Sequence, residues 1–433
     1  MNKLILFFGL VAAHCVYCQS SQVDYLLTNV SIIPMNTETV LKNKDLTIKD
    51  GKIISITDTN KGKFKATEKI DCKGKFIMPT LVDAHVHLPK VETELENILT
   101  LNLINGVTRL RSMRGDAKHV DWKKKYNTIN SFYPKMYLST PPVYSNQDFT
   151  SSQLENLVKN VHSNGFDFIK ILGVKNQTIF TELDRFCKEN KVKMAGHFPN
   201  DPTDVIIADD IIFNSNLNSI EHLGGLIGEP LTLESRIKAM KEKNVFSCPT
   251  LRWYEIAYGE FDLNEVQNQK GIQYITPTLV AQWVDKTVNY REKMGEKPLK
   301  EELDFYAKEI IERLNVIKRL NDAGVKLLIS PDSSSKFIIP GFGIITEMNL
   351  YKKAGLSNYD ILKSATVNYS SYIDDDSFGT IAVGKKADFL ILNENPLLKI
   401  DALEKIDGIF FNSNYLTKSK LEELANAALP AKK

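Results

Sequence analysis

The chain has 433 residues, 43% hydrophobic and 25% charged, with 55 basic against 53 acidic residues and a net charge of +2. That near-balance excludes a dedicated nucleic-acid binder, whose footprint is a basic excess. The length suits one large α/β barrel with additions, or roughly two to three average domains.

The N-terminus differs from the body. Lys3 precedes an apolar run from Leu4 to Cys18, broken only by His14, and Gln19-Ser20-Ser21-Gln22 follow. A basic start, a short apolar run and then small or polar residues predict a signal peptide over 1–18 and export to a periplasmic or extracellular location. No apolar span of about 20 residues occurs in the body, so the mature chain is expected to hold no membrane span. His14 and Tyr17 stand before Cys15 and Cys18, which argues against a lipid anchor. The other cysteines, Cys72, Cys187 and Cys248, are odd in number and widely spaced. They read as free thiols and not as a disulfide framework.

Residues 23–78 read as short strands. Leu46 to Ile56 is a hairpin pattern with Asp50-Gly51 as its two-residue turn. Lys73-Gly74-Lys75 leads into a strand over 76–88, which carries His85 and His87. Leu95, Ile98, Leu99 and Leu103 form a helical stripe that stops at Gly106. Further strands are predicted at 107–110, 135–138, 166–172, 192–195, 219–221, 245–248 and 325–329. With the His85 strand these make eight β/α units and predict a (β/α)₈ barrel over 79–375. Residues 252–323 form a long helix-rich insertion between the seventh and eighth strands. Two helical patterns, 344–355 and 358–369, precede a return to strand character over 378–392. A small β-sandwich-like domain built from both chain ends, 19–78 and 376–415, is therefore expected, with a helix and tail over 416–433.

The candidate chemistry lies at strand ends. His85 and His87, at i and i+2, point to the same side of a strand and can bind one metal ion together. Lys170 sits among apolar strand residues, where an unpaired ammonium is expensive; its amine either snorkels outward or is modified. His197 and His222 end two further strands, and Asp332 follows the last. In a barrel all these ends meet on one face. Each has a bland reading as well. A lone strand-end histidine is usually packed or capping, and Asp332 could cap a helix. Glu221 should point away from His222 and serve as a supporting residue. His119 and His162 fall outside the pattern. Arg111 and Arg114, near the end of the second strand, could bind a substrate carboxylate or stand in structural salt bridges.

The set resembles the amidohydrolase superfamily, in particular imidazolonepropionase-related and prolidase-like enzymes. The matching segments are Met78-Pro-Thr-Leu-Val-Asp-Ala-His-Val-His-Leu88, Gly106-Val-Thr-Arg-Leu-Arg111, Asp167-Phe-Ile-Lys-Ile171, Ala195-Gly-His-Phe-Pro199 and Ser219-Ile-Glu-His-Leu223. Pro340-Gly-Phe342, Ile361 to Asn368 and Gly379 to Asp388 continue the match. The resemblance implies two divalent ions, zinc by preference. His85 and His87 would hold one and His197 and His222 the other. N-carboxylated Lys170 would bridge them, and Asp332 would act as ligand and base. It implies hydrolysis of a C–N bond in a small molecule. A lactonase or esterase on the same site, or a non-catalytic binding barrel, stays open, as does a homo-oligomer. The chain departs from the family pattern at Ser330-Pro331, where glycine-threonine commonly precedes the aspartate. A second departure is Gly343-Ile344-Ile345, where relatives often carry a histidine. Proline restricts Ser330 and removes an N–H, so the loop carrying Asp332 is expected to take a different shape.

Overall fold

The computed structural model describes residues 21–129, 131–200, 206–259 and 261–431. The expected signal peptide, 1–18, lies outside the described residues. Among the described residues no helix is long and apolar enough to cross a membrane.

The N-terminal part forms β1 (Ser21–Ile32), β2 (Leu41–Lys49), β3 (Lys52–Asp58), β4 (Phe64–Asp71) and β5 (Phe76–Pro79). The predicted hairpin is β2–β3. Asp50 and Gly51 both have positive φ, 50° and 69°, as a type I′ turn requires. The single strand predicted over 76–88 is two strands. β5 ends at Pro79, Thr80 turns aside to donate its N–H to Asp388 O at 3.2 Å, and β6 (Leu81–Val86) begins at once. The two lie in different sheets.

β6, β7 (Val107–Ser112) and β8 (Lys135–Leu138) make a parallel three-stranded sheet. β9 (Ile169–Ile171), β10 (Met194–Gly196), β11 (Leu217–Glu221) and β12 (Phe246–Cys248) make a parallel four-stranded one. Every residue of β6 and β7 is buried, as parallel strands covered on both faces require. Isolated parallel bridges occur at Ser139–Phe168, Ser247–Leu327 and Val86–Ser333. The eighth predicted strand, 325–329, is an extended segment with one bridge at Leu327. Leu328 N–H reaches Ser247 O at 2.8 Å and Ala84 N–H reaches Ile329 O at 3.0 Å. Pro331 then removes the next donor, so no ladder extends.

β13 (Phe389–Leu392), β14 (Ile406–Phe411) and β15 (Asn414–Thr417) return to the first sheet. Its order is β15-β14-β13-β5-β1-β2-β3, with β4 on β1, so strands from both chain ends share one mixed sheet. Leu27, Leu46, Ile53, Ile77, Phe389 and Phe410 fill its core. The insertion contains the helices Leu251–Ala257, Leu263–Gln267 and Pro277–Met294. The following helix, Glu296–Ala323, is 28 residues long and buries Ile310, Leu314, Ile317 and Leu320 in the main core. Its second half thus packs into the main core, against the helix Leu233–Glu242 among others.

A buried ion pair ties the parallel strands to the mixed sheet. Arg109 of β7 is 1% exposed, donates from Nη2 to Asp388 Oδ2 at 2.6 Å and lies 3.6 Å from the Phe378 ring centroid. Asp388 Oδ1 also accepts Asn412 N–H at 3.1 Å. Removing one partner of a buried pair leaves an uncompensated charge, so Arg109→Ala should cost about 3–5 kcal/mol. Urea unfolding checks this: the midpoint should fall with the slope unchanged. A loss under about 1 kcal/mol would put this pair with surface ion pairs instead.

Candidate metal centre

The predicted metal residues sit in or just past β6, β9, β10 and β11, and just past the extended segment 325–329. Period-two alternation puts Asp83, His85 and His87 on one side of the β6 segment. His87 Nε2 is 3.0 Å and His85 Nε2 3.9 Å from Asp332 Oδ1. Ligand atoms of these three lie within 4.8 Å of one another. The His222 ring centroid is 4.7 Å from that of His85 and 5.0 Å from that of His197. His85, His87, Lys170, His197, His222 and Asp332 all line one cavity of about 410 Å³.

The backbone is unusual where it delivers these groups. His222, Thr250 and Asp332 have φ of 63°, 51° and 62°. Non-glycine residues rarely adopt this region, and such residues cluster at functional sites that the surrounding structure over-determines. Before His197, Gly196 has φ 151°, and a Cβ there would overlap the carbonyl oxygen of Ile171. Only glycine lets the chain pass, and His197 N–H then bonds that same oxygen at 2.9 Å.

Hydrogen bonds fix the tautomers. His85 Nδ1 is 2.7 Å from Glu221 Oε2. A carboxylate only accepts, so Nδ1 carries the proton and the Nε2 lone pair faces the cavity. Glu221 is held in turn by Arg111 Nη2, at 2.8 and 2.9 Å from its two oxygens, and by Ser219 Oγ. His222 Nδ1 is 2.6 Å from Thr250 Oγ1, whose hydroxyl donates to Pro249 O at 2.8 Å. The hydroxyl has one proton, so Nδ1–H is the donor and Nε2 is again free.

Burial sets the charge states. It pulls His85 and His222 well below the usual imidazole range and His197 down to about 3. All three are neutral at pH 7, the form that binds metal. Lys170 is 1% exposed and its Nζ has no hydrogen-bond partner. Burial lowers its amine to about 8. Beneath the histidines, burial lifts Asp83 to about 7; it accepts from Ser333 Oγ at 3.2 Å and from His85 N–H at 3.3 Å. The donor set of neutral imidazoles and a carboxylate fits divalent ions. The partnerless Lys170 amine is the one member that needs alteration to join it.

Of the two arginines weighed for a substrate carboxylate, only Arg114 lines the cavity. Arg111 is fully buried on Glu221, with Nε also donating to Ala84 O, so its charge is already spent inside the fold. His119 is buried in the helix Ala117–Tyr126, its Nε2 3.1 Å from Pro89 O. Two supporting residues escaped the sequence reading. Asp83 had a signal, since it extends the period-two row of His85 and His87. Thr250 had a weaker one: a polar residue after Cys248-Pro249 at a strand end.

A sequence model of the amidohydrolase family matches residues 76–417. Adenine deaminase of Halalkalibacterium halodurans is 30% identical over 93 residues, 22% of this chain and 15% of that protein. Imidazolonepropionase of Staphylococcus aureus is 38% identical over 78 residues, 15% of this chain and 19% of that protein. The chain thus spans only 15% and 19% of the length of these curated relatives. Among solved structures, bottromycin amidohydrolase superposes with a TM-score of 0.73 at 19% identity, covering 93% of this chain and 89% of its own. A Xaa-Pro dipeptidase with bound methionine gives 0.67 at 16% identity, covering 91% and 99%. At these identities the structural likeness speaks to the fold alone. The family match runs through most of the chain, from β5 to the end of β15, and the chain belongs to the amidohydrolase family.

Proposed function

We propose that this protein is an exported, metal-dependent amidohydrolase that hydrolyses a C–N bond in a small amide, cyclic amide or dipeptide-like molecule. The observation that carries the reading is Lys170, a buried amine without a partner in the same cavity as four imidazoles and Asp332. Burying an isolated ammonium is costly. Carboxylation replaces it with an anion whose two oxygens can face two cations.

In this reading residues 79–375 make a (β/α)₈ barrel. The bridges Ser139–Phe168, Ser247–Leu327 and Val86–Ser333 support it, because they link the short parallel sheets edge to edge. Residues 19–78 and 376–415 make the small β-domain, and 416–433 the closing helix and tail. His85, His87 and Asp332 would hold one ion and His197 and His222 the other, with carboxylated Lys170 as the ligand they would share. Zinc suits this nitrogen- and oxygen-rich set.

Such ions, when bound, polarise a carbonyl and lower the pKa of water. The chain's own residues do the rest. Glu221 and Thr250 keep the His85 and His222 rings in register. Asp332 Oδ1, 3.0 Å from His87 Nε2, is placed to take a proton and return it to the leaving nitrogen. Arg114 offers a guanidinium to a substrate carboxylate. Trp253 and Tyr254 close one side of the cavity against water.

Three outcomes test this. Purified protein should carry two divalent ions per chain, and Lys170→Met, of similar length but unable to be carboxylated, should lose the second ion and nearly all turnover; full metal and activity in that variant would sink the two-ion reading. Asp332→Asn should lose turnover by roughly 10²-fold or more, measured on a panel of amides, dipeptides and lactones that also reports amide against ester preference. The third outcome is a pH dependence. Carboxylation needs the free amine, which appears as pH rises through about 8. Metal-free protein in ¹³C-bicarbonate should therefore gain carbamate signal between pH 7 and 9 and lose it on acidification, and a signal independent of pH would contradict the assignment.

A further inference from the structure

The loop that follows Asp332 is covered by the insertion along most of its length. Phe337 is fully buried and has φ of 58°, a region that a bulky residue occupies only when its surroundings hold it there. Its ring lies 5.3 Å from Trp283 and 5.7 Å from Phe261, both edge-on or tilted. Its carbonyl accepts Gln269 Nε2 at 3.0 Å, and the preceding Lys336 Nζ donates to Thr287 Oγ1 at 3.0 Å. Further along, Phe342 stacks on Tyr274 at 5.6 Å. Gly271 passes so close that a Cβ would stand 2.5 Å from the Phe342 ring.

The other side of the loop is sewn to the metal strand. Ser333 O accepts His87 N–H at 2.6 Å, Ser330 Oγ donates to His85 O at 2.7 Å, and Asp332 N–H donates to Ser330 Oγ at 3.0 Å. Asp332 therefore stands between two anchors. The strand anchor belongs to the ligand histidines themselves. The insertion anchor is an apolar cluster of Phe337, Ile338, Ile256 and Val266, against which Trp253, Phe261 and Trp283 pack. Trp253 is shared: it belongs to this cluster and also walls the cavity, its ring 6.2 Å from His222.

We propose that Phe337 is a positioning residue, through which the insertion holds the Asp332 loop at the reacting centre and couples it to the Trp253 wall of the substrate cavity. This rests on the reading of Asp332 as ligand and base. It assigns the insertion a task beyond covering the cavity, and explains how Ser330-Pro331 can stand where the family usually has a more pliant pair. What the proline removes in backbone bonding before Asp332, the aromatic cluster supplies after it. A misplacement of about 1 Å at a reacting group can cost on the order of 10²-fold in rate, so loosening the clamp should appear in kcat.

The experiment compares the parent, Phe337→Ala and Phe337→Leu, each loaded with Co²⁺. Three quantities are measured: the visible absorption of the bound cobalt, the metal count, and kcat and KM on whichever panel amide the parent cleaves. The expected result for Phe337→Ala is a retained metal count, a changed cobalt spectrum, and a kcat lower by about 10- to 100-fold with KM within about twofold. Leucine refills the cluster and should restore most of kcat and the parent spectrum. A merely structural role would lower the melting temperature and leave spectrum and kcat alone, which would overturn the proposal. A parent that binds no cobalt and cleaves nothing would overturn the hydrolase reading instead. A parent that binds cobalt without turnover still tests the clamp by its spectrum. If Phe337→Ala does not fold, Trp283→Leu removes the facing ring from a half-buried position and is judged by the same spectrum and kcat.

Discussion

Glu221 carries the floor of the cavity. It is one fully buried carboxylate shared among Arg111, Ser219 and His85. A charge at this depth is tolerable only when its lone pairs are filled, and the filling groups are what give the site its form. Arg111 reaches from β7 across the interior, His85 from β6, and Ser219 from the same strand as Glu221. The carboxylate thereby joins strands from the two parallel sheets. It also decides which nitrogen of His85 meets the cavity. Thr250 does the same for His222 by neutral means, a hydroxyl whose single proton is committed elsewhere. Two rings are thus aimed by two kinds of partner, and both leave Nε2 facing inward.

Much of this was legible in the residue order. His85 and His87 at i and i+2, then Lys170, His197, His222 and Asp332, each at the close of an apolar run, suffice to place a site. Parallel strands end on one face, so strand-end residues far apart in sequence must converge. The supporting groups were less legible for a physical reason. Arg111 looks alike in sequence whether it meets a substrate or a buried partner; only burial distinguishes them, and burial is a property of the whole fold. Thr250 acts through one hydroxyl whose partner is 28 residues away. The split of the 76–88 run at Thr80 was hidden as well. Both halves are apolar and extended, and the change of sheet depends on Asp388, which accepts the Thr80 N–H from the far end of the chain.

The charges of the cavity balance only in part. Lys170 and Asp332 face one space, and His85, His197 and His222 are held neutral by the same desolvation that presses on the lysine. In a low-dielectric pocket of this kind, added positive charge must bring its own compensation. In the proposed reading, an anionic oxygen pair on Lys170 would supply that compensation. The strained backbone at His222, Thr250 and Asp332 fits the same picture. These residues are held in place by bonds to Arg313, Pro249 and Ser330, and not by any preference of their own.

The mixed sheet also bears on how the chain comes to be folded. β5 is a central strand, with β1 on one side and β13 on the other. Its flanking Lys75 pairs with Asp407, 332 residues later. During synthesis β5 must wait with one edge open until β13 has left the ribosome. An exposed strand edge invites pairing with a neighbour, and contacts of such long sequence separation form slowly. The mixed sheet can therefore be completed only after every strand of the two parallel sheets has been made. Pro79 softens the hazard by ending the waiting strand after four residues, leaving a short template for any other chain to extend.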